Sequence, residues 1–164
     1  MTEEWVVNRT IDIDAPISSV WRTLTDPDWS QAWITDDRTT RVSSTWQVGE
    51  PISFAGHWDG VDYQDHGTLL AFEPGLLLRY SYWSVHWQVP DAPENYSRAE
   101  FRLEPNGDAT RLILQHSRFP VHTIFGHWRF YWWTALDRLK AVAEQGDPNV
   151  TFPYAGSGQS SAHT

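Results

Sequence analysis

The sequence predicts an α+β domain of the helix-grip type, in which a curved antiparallel sheet holds one long helix across its apolar face. Three observations predict this fold. The chain begins with a strand-like segment and two short helical segments, continues with alternating segments separated by turns, and ends its regular structure with one long amphipathic helix. A curved sheet has one face to cover, and only the last helix carries enough apolar surface to cover it.

The first element is predicted to be a strand from Trp5 to Ile13, because its apolar residues recur with the two-residue period of a half-buried strand. Arg9 lies on the apolar face if that strand is regular. A bulge near Asp12 would turn the side chain outward, and a solvent-exposed Arg9 is the expected outcome.

Two short helices are predicted next. Asp14 is expected to cap the first helix, with Pro16 in its first turn. Asp26 and Pro27 are expected to begin the second helix, which should end near Trp33.

A meander of antiparallel strands is predicted between these helices and the last one. Turn dipeptides occur at Asp59-Gly60, Pro74-Gly75 and Asn106-Gly107, and each lies between segments with the composition of strands. A proline-containing loop, SVHWQVPDAPEN, interrupts the series. The strand-like segments are ISFAGHW, VDYQDHGTLLAF, LLLRYSYW, YSRAEFRLEP and ATRLILQHS.

The last helix is predicted from about Thr123 to Gln145, with Gly146 positioned to end it and Pro148 to prevent its continuation. At about 100° per residue its apolar side chains form one stripe, which should face the sheet, while charged side chains lie opposite. The stripe consists of Phe125, Trp128, Trp132, Ala135, Leu136, Leu139, Val142 and Ala143.

Phe130 and Trp133 fall on the charged side of this helix, although both are large aromatics. Such a pair left in water would belong to an exposed apolar patch of the kind that marks contacts. Three outcomes are open: the tail at Phe152, Pro153 and Tyr154 folds back over the pair, a symmetric homodimer buries it, or it lies exposed along neighbouring stems. Tail docking or a homodimer is expected over full exposure.

Length and composition restrict the class of protein. The 164 residues predict one domain over residues 1–146, followed by a mostly disordered tail over residues 147–164. A net charge of −9 without a run of Lys or Arg argues against nucleic acid and membranes as partners. The lack of cysteine excludes disulfides and thiolate metal sites. No stretch matches a signal peptide or a membrane span, so a cytoplasmic location is expected.

Four stretches of the chain carry a family resemblance: TIDIDAPISSVWRTLTDPDWSQAWI, GTLLAFEPGLLLRYSYW, PENYSRAEFRLEPNGDATRLILQHS and HWRFYWWTALDRLKAVAE. Together they resemble the SRPBCC superfamily, and more narrowly its branch similar to the C-terminal domain of the Hsp90 ATPase activator, over roughly residues 4–146. The resemblance implies a seven-stranded antiparallel sheet gripping the C-terminal helix, with a cavity that in many members holds a hydrophobic small molecule. Some relatives are cyclases, aromatases or hydrolases, whereas many are binding proteins. The eleven tryptophans of this chain would narrow such a cavity or line it with indoles.

A ligand site is predicted on the inner face of the sheet. His116 alternates with Leu112 and Leu114 in RLILQHS and should point inward, either as a core histidine with a hydrogen-bond partner or as a ligand contact. A tyrosine hydroxyl beside it would help to orient a ligand in an apolar pocket. The loops around Trp33 and Trp87 should lie near the cavity mouth. The predicted ligand-binding residues are Phe54, Tyr80, Tyr82, Phe101, Leu114, His116, Trp128 and Trp132.

The hairpin HWDGVDYQDH concentrates possible metal ligands around one turn, namely His57, Asp59, Asp62, Asp65 and His66. Their spacing matches no zinc motif, and neighbouring side chains in a hairpin point to opposite faces of the sheet. An acidic surface loop is the favoured interpretation, and neither a metal nor a cofactor is expected.

These patterns favour a small-molecule binding protein with a hydrophobic, ring-containing ligand in an aromatic-lined cavity. Two alternatives stay open. One is an enzyme of the cyclase, aromatase or lyase type without a metal, in which His116 and a tyrosine act as general acid and base. The other is a chaperone-cofactor-like interaction protein that uses its outer surface and has a filled interior. The sequence has no Ser-His-Asp order, nucleophile elbow or phosphate loop that would commit it to catalysis.

Overall fold

The structure is a computed structural model that describes residues 5–150 and residue 152. Its elements follow the predicted order: one strand, two short helices, a strand meander and a long helix. Two short 3₁₀ turns, Val85–Trp87 and Pro93–Asn95, lie in the proline-containing loop. The strands and α-helices are β1 (Val7–Ile13), α1 (Ile17–Thr25), α2 (Pro27–Gln31), β2 (Arg41–Ser44), β3 (Pro51–Trp58), β4 (Val61–Glu73), β5 (Leu77–Tyr82), β6 (Ser97–Asn106), β7 (Ala109–Ser117) and α3 (His122–Gln145).

The seven strands form one antiparallel sheet in the order β1-β7-β6-β5-β4-β3-β2. The predicted α+β helix-grip fold is therefore confirmed. The residue pattern alone indicated six strands and missed β2, for a physical reason: this strand has only four residues, and Val42 is the one that is buried. The seventh strand was implied by the family resemblance.

The helix α3 packs its apolar stripe against the sheet, as predicted. Trp132 is 2% exposed, and the stripe from Ala135 to Ala143 is buried, whereas Phe125 and Trp128 are half-buried. Gly146 ends the helix in the left-handed conformation (φ 63°), and its N–H donates to the carbonyl of Val142. In the part of the chain that the structure describes, α3 and the other helices are too short or too polar to cross a membrane.

The two predicted helix caps have different outcomes. Asp26 caps α2, because its side chain accepts hydrogen bonds from the N–H groups of Asp28 and Trp29. The prediction that Asp14 caps α1 is wrong, since the helix begins later and its N-cap residue is Pro16. The backbone N–H of Asp14 instead donates to the carboxylate of Glu144 at 2.8 Å, which ties the start of α1 to the end of α3.

The prediction of a solvent-exposed Arg9 is also wrong. The pairing of β1 with β7 is continuous from Val7 opposite His116 to Ile13 opposite Thr110, so the side chain of Arg9 stays on the inner face. The residue is half-buried, and its guanidinium lies 4.6 Å from the ring centre of Trp133 on α3. A guanidinium is weakly hydrated and stacks on aromatic faces, which explains why it can occupy this position.

The described part of the C-terminal segment is packed against the loop that follows α2. Phe152 is buried, and the guanidinium of Arg38 lies 4.8 Å from its ring centre. Arg38 also donates to the carbonyl of Val150. Phe130 and Trp133 remain 72% and 63% exposed. Phe152 is thus not the predicted cover of that pair, and residues 153–164, with Pro153 and Tyr154, lie outside the described residues.

Candidate functional site

A cavity of about 630 Å³ lies between the sheet and α3. This volume is within the range of small-molecule binding sites in proteins. The walls come from β2 to β7, from the N-terminal half of α3 and from the loop that follows α2. Eleven aromatic side chains contribute to them: Trp33, Phe54, Trp58, Tyr63, Tyr80, Tyr82, Trp87, Phe101, Trp128, Tyr131 and Trp132.

Seven of the eight predicted ligand-binding residues lie in these walls, and Trp33 and Trp87 do as well. Leu114 does not, because it is fully buried in the apolar core opposite Phe101 in the β6–β7 ladder. Tyr131 also lies in the walls but was not predicted, because helical periodicity does not place it on the apolar stripe of α3. The seven residues are Phe54, Tyr80, Tyr82, Phe101, His116, Trp128 and Trp132.

His116 is a buried member of a chain of hydrogen bonds that connects α3 with the sheet. Trp132 Nε1 donates to His116 Nδ1 at 3.0 Å, and because an indole nitrogen only donates, Nδ1 carries no proton. The ring proton is therefore on Nε2, which lies 2.8 Å from Ser97 Oγ and donates to it. Ser97 Oγ donates in turn to the carbonyl of Tyr82 at 3.1 Å. This chain connects α3 with β7, β6 and β5.

Both ring nitrogens of His116 are occupied within the protein. Its partner hydroxyl belongs to Ser97 and not to a tyrosine, which makes it the hydrogen-bonded core histidine that was one of the two predicted possibilities. Burial lowers the pKa of His116 to about 3, so the ring is neutral near pH 7. The enzyme alternative needs a free ring nitrogen to transfer a proton to a ligand, and this arrangement leaves none.

The buried ring of His116 predicts a specific pH dependence of stability. Its pKa is about 3 in the folded protein and about 6.5 when exposed, so between these values the unfolded chain binds the extra proton. The free energy of unfolding should therefore fall as the pH decreases from about 6.5, by up to roughly 1.4 kcal/mol per pH unit from this residue. Urea unfolding of the wild type and of His116→Gln across this range measures the effect. Equal slopes in the two proteins would contradict it.

Asp65 is a buried carboxylate in the cavity wall, 4% exposed. The hydroxyl of Tyr82 donates to its Oδ2, and the N–H of Val85 donates to its Oδ1 at 3.1 Å. Burial, together with the charge of Asp65, raises the pKa of Tyr82 well above its usual value. The alternation of β4 places Asp65 on the same face as Tyr63, and this signal could have identified it from the sequence.

The other candidate metal ligands of the β3–β4 hairpin do not converge. His57 Nδ1 lies 2.9 Å from the carboxylate of Asp62, and His66 Nε2 lies 3.1 Å from that of Asp91. Asp59 occupies the turn with a φ of 53°. Within the described residues, no three of the side chains that commonly bind metals form a group.

Two polar groups at the cavity have no hydrogen-bond partner in the described part of the chain. One is the hydroxyl of Tyr80, whose pKa is raised by burial so that it stays protonated. The other is Nε1 of Trp128. By contrast, the hydroxyl of Tyr131 donates to the carbonyl of Ile34 at 2.6 Å. The Tyr80 hydroxyl is thus available to orient a bound molecule.

This difference between two cavity tyrosines can be tested by a matched pair of substitutions. Tyr131→Phe should lower the free energy of unfolding by about 1 kcal/mol, because it removes a hydrogen bond and leaves the Ile34 carbonyl without that donor. Tyr80→Phe should change it by less than about 0.5 kcal/mol, since no protein partner is lost. Urea denaturation of both variants provides the comparison. A Tyr80→Phe cost as large as that of Tyr131→Phe would be inconsistent with the described hydrogen bonds.

Comparison with known protein families identifies the family of the chain. The model of the Activator of Hsp90 ATPase homolog 1-like protein family matches residues 14–144. The chain belongs to this family. The resemblance predicted from the four sequence stretches is thereby confirmed. No curated protein matches the sequence.

Several solved structures of this family's fold resemble the protein. ChR145 from Cytophaga hutchinsonii is 29% identical, with a TM-score of 0.73, covering 89% of this chain and 98% of that one. The Aha1 dimer from Colwellia psychrerythraea is 22% identical, with a TM-score of 0.66, covering 86% and 97%. DynU16, described as a putative protein in the dynemicin biosynthetic locus, is 19% identical, with a TM-score of 0.68, covering 89% of this chain and 49% of that one. The last two similarities establish the fold alone.

Proposed function

We propose that this protein binds a small hydrophobic, ring-containing molecule in the cavity between the sheet and α3. The observation that carries the proposal is an unfilled volume of about 630 Å³ in a domain whose walls contain eleven aromatic side chains. Protein interiors are usually packed to the density of organic crystals, and a void of this size forfeits contact energy unless it serves a ligand. The interaction-protein alternative expects a filled interior, and the cavity favours ligand binding over that alternative.

The chemistry of the walls supports a ligand with a flat apolar body. Ring pairs such as Tyr82 with Trp128, at 5.3 Å between centroids, present aromatic faces and edges to the cavity. The hydroxyl of Tyr80 supplies one hydrogen-bonding group among these apolar surfaces. Sites of this kind obtain affinity from shape and apolar contact, and orientation from a few polar groups.

Binding of a neutral fluorescent probe, N-phenyl-1-naphthylamine, tests the proposal. We expect saturable binding with an increase in probe emission, quenching of tryptophan emission and a higher melting temperature. Val42→Trp, which places an indole in the cavity, should weaken binding at least about tenfold. Val48→Trp makes the same change at an exposed residue outside the cavity and should bind as the wild type does. Absence of saturable binding by the wild type, for this probe and a panel of neutral aromatics, would overturn the proposal.

Native mass spectrometry of the protein from the cytoplasmic fraction of its own host provides a second test. We expect a retained mass adduct that is lost on denaturation. The same fractionation tests the expected cytoplasmic location. An adduct-free protein that also fails to bind the probe would contradict the proposed function.

We also propose that the exposed aromatic pair of α3 forms a symmetric homodimer contact. Phe130 and Trp133 are adjacent on the helix surface and are 72% and 63% exposed, which is unusual for two neighbouring large aromatics. The Colwellia psychrerythraea relative was solved as a dimer, which supports the proposal by analogy. Sedimentation equilibrium should give a dimer for the wild type and a monomer for Trp133→Glu. A monomeric wild type at high concentration would contradict this assembly.

A further inference from the structure

The charges around the cavity are of one sign. Three aspartates, Asp36, Asp37 and Asp65, contribute to its walls, whereas within the described residues neither lysine nor arginine does. Two guanidinium groups next to the loop that follows α2 are engaged by backbone carbonyls: Arg38 donates to Val150, and Arg138 donates to Trp33 at 2.9 Å. Among the described residues, the cavity walls therefore present no lysine or arginine side chain to pair with an anionic ligand.

Asp65 is the innermost of the three acidic groups. Its two oxygens accept hydrogen bonds from the hydroxyl of Tyr82 and the N–H of Val85, an arrangement that suits the ionised carboxylate. No ion pair neutralises this buried charge in the described part of the chain. Burial of a carboxylate without a counter-ion is costly, and a cation brought in by a ligand would reduce that cost.

The tyrosine that binds this carboxylate belongs to a cluster of aromatic rings in the cavity walls. The ring of Tyr82, which donates to Asp65, lies 5.6 Å from that of Trp87 and 5.3 Å from that of Trp128, measured between centroids. Rings of this kind attract ammonium groups through their negative faces, most strongly when the cation is desolvated. A buried carboxylate that binds Tyr82, in a cavity whose walls also contain the neighbouring rings of Trp87 and Trp128, is thus suited to an organic cation.

We propose that the ligand of this cavity is a hydrophobic amine or quaternary ammonium compound, with its cationic group beside Asp65 and its apolar body towards Phe101 and Trp132. The inference rests on the proposed function, because it specifies the class of molecule that the same cavity binds. Four histidines contribute to the cavity walls, of which His57, His86 and His127 are exposed. The fourth, His116, is buried and neutral near pH 7. Asp65 is therefore the buried charged group that recognises the cationic part of the ligand.

Three probes of matched shape test the inference: benzyltrimethylammonium, its neutral carbon isostere neopentylbenzene, and the anion phenylacetate. Each competes with bound N-phenyl-1-naphthylamine. We expect the cation to bind the wild type at least as tightly as the neutral isostere, despite its greater desolvation, and the anion to bind most weakly. Asp65→Asn should weaken binding of the cation about tenfold relative to binding of the neutral isostere. Asp108→Asn, which makes the same charge change in the exposed β6–β7 turn, should leave the ratio unchanged.

The outcomes separate this inference from the proposed function. If the neutral isostere binds the wild type and the cation binds it more weakly, the inference of a cationic ligand is wrong while the cavity remains a binding site. If Asp65→Asn weakens binding of the cation and of the neutral isostere equally, the cation does not bind beside Asp65 and the inference fails. If no probe binds the wild type, the proposed function itself fails. If Asp65→Asn does not fold, the order of the affinities of the three probes for the wild type still tests the inference.

Discussion

Replacing Gly67 with alanine is expected to destabilise the protein by more than about 4 kcal/mol, enough to abolish folding in a domain of marginal stability. Gly67 is buried on the inner side of β4, and an added Cβ would lie 1.7 Å from the carbonyl oxygen of Ser81 on β5. The backbone fixes the position of the Cβ, and the oxygen belongs to the backbone of Ser81, so no side-chain rotation relieves the overlap. The strands β4 and β5 would have to separate at Gly67 to accommodate the methyl group. Urea unfolding followed by tryptophan emission measures the loss.

Gly126→Ala is the matched control for this prediction. Gly126 lies within α3, and an added Cβ would meet no heavy atom within 4 Å. Because alanine is a better helix former than glycine, this substitution should stabilise the protein by about 0.5–1 kcal/mol. The same chemical change is thus expected to have opposite effects at two positions. Similar effects of the two substitutions on stability would contradict the close approach of β4 and β5 at Gly67.

Trp132→Ala is expected to cost about 3–5 kcal/mol, the usual range for truncating a large buried aromatic. The side chain is 2% exposed and contacts the rings of Phe101 and Trp33, at 5.6 Å and 6.4 Å between centroids. Truncation also removes the donor to His116 Nδ1 and leaves that buried nitrogen without a partner. The effect should be visible as a lower denaturation midpoint in urea.

Trp133→Ala on the same helix serves as the control. Its side chain is 63% exposed, and its contact with the guanidinium of Arg9 contributes at most about 1 kcal/mol. The cost should therefore stay below about 1 kcal/mol in the monomer. A Trp132→Ala cost below about 1 kcal/mol would mean that α3 is docked on the sheet in another orientation.

Much of the fold could be predicted because its signals are local. The turns at residues 59–60 and 106–107, the capping by Asp26 and the stop at Gly146 each depend on a few neighbouring residues. The apolar stripe of α3 follows from helical periodicity in the same way. The strand β2 lacks such a signal, since a four-residue strand with one buried residue does not produce a recognisable alternation.

The candidate site was harder to predict because it depends on contacts between distant elements. Periodicity placed His116 and Tyr82 on the inner face, but it could not show that His116 is satisfied by Ser97 and Trp132. It also could not separate Leu114, which is covered by core side chains, from His116 two residues further along the same strand face. Arg138 illustrates the same limit: it lies buried on α3 because the carbonyls of the loop after α2 accept its hydrogen bonds.

The central claim is that the cavity is the ligand-binding site, and the indole N–H signals of the eleven tryptophans test it most directly. In a ¹H–¹⁵N spectrum, addition of N-phenyl-1-naphthylamine should shift the signals of the tryptophans in the cavity walls and leave the others unchanged. A shift pattern confined to the tryptophans outside the cavity, or no shift at saturating probe, would contradict the claim. The first group is Trp33, Trp58, Trp87, Trp128 and Trp132, and the second is Trp5, Trp21, Trp29, Trp46, Trp83 and Trp133.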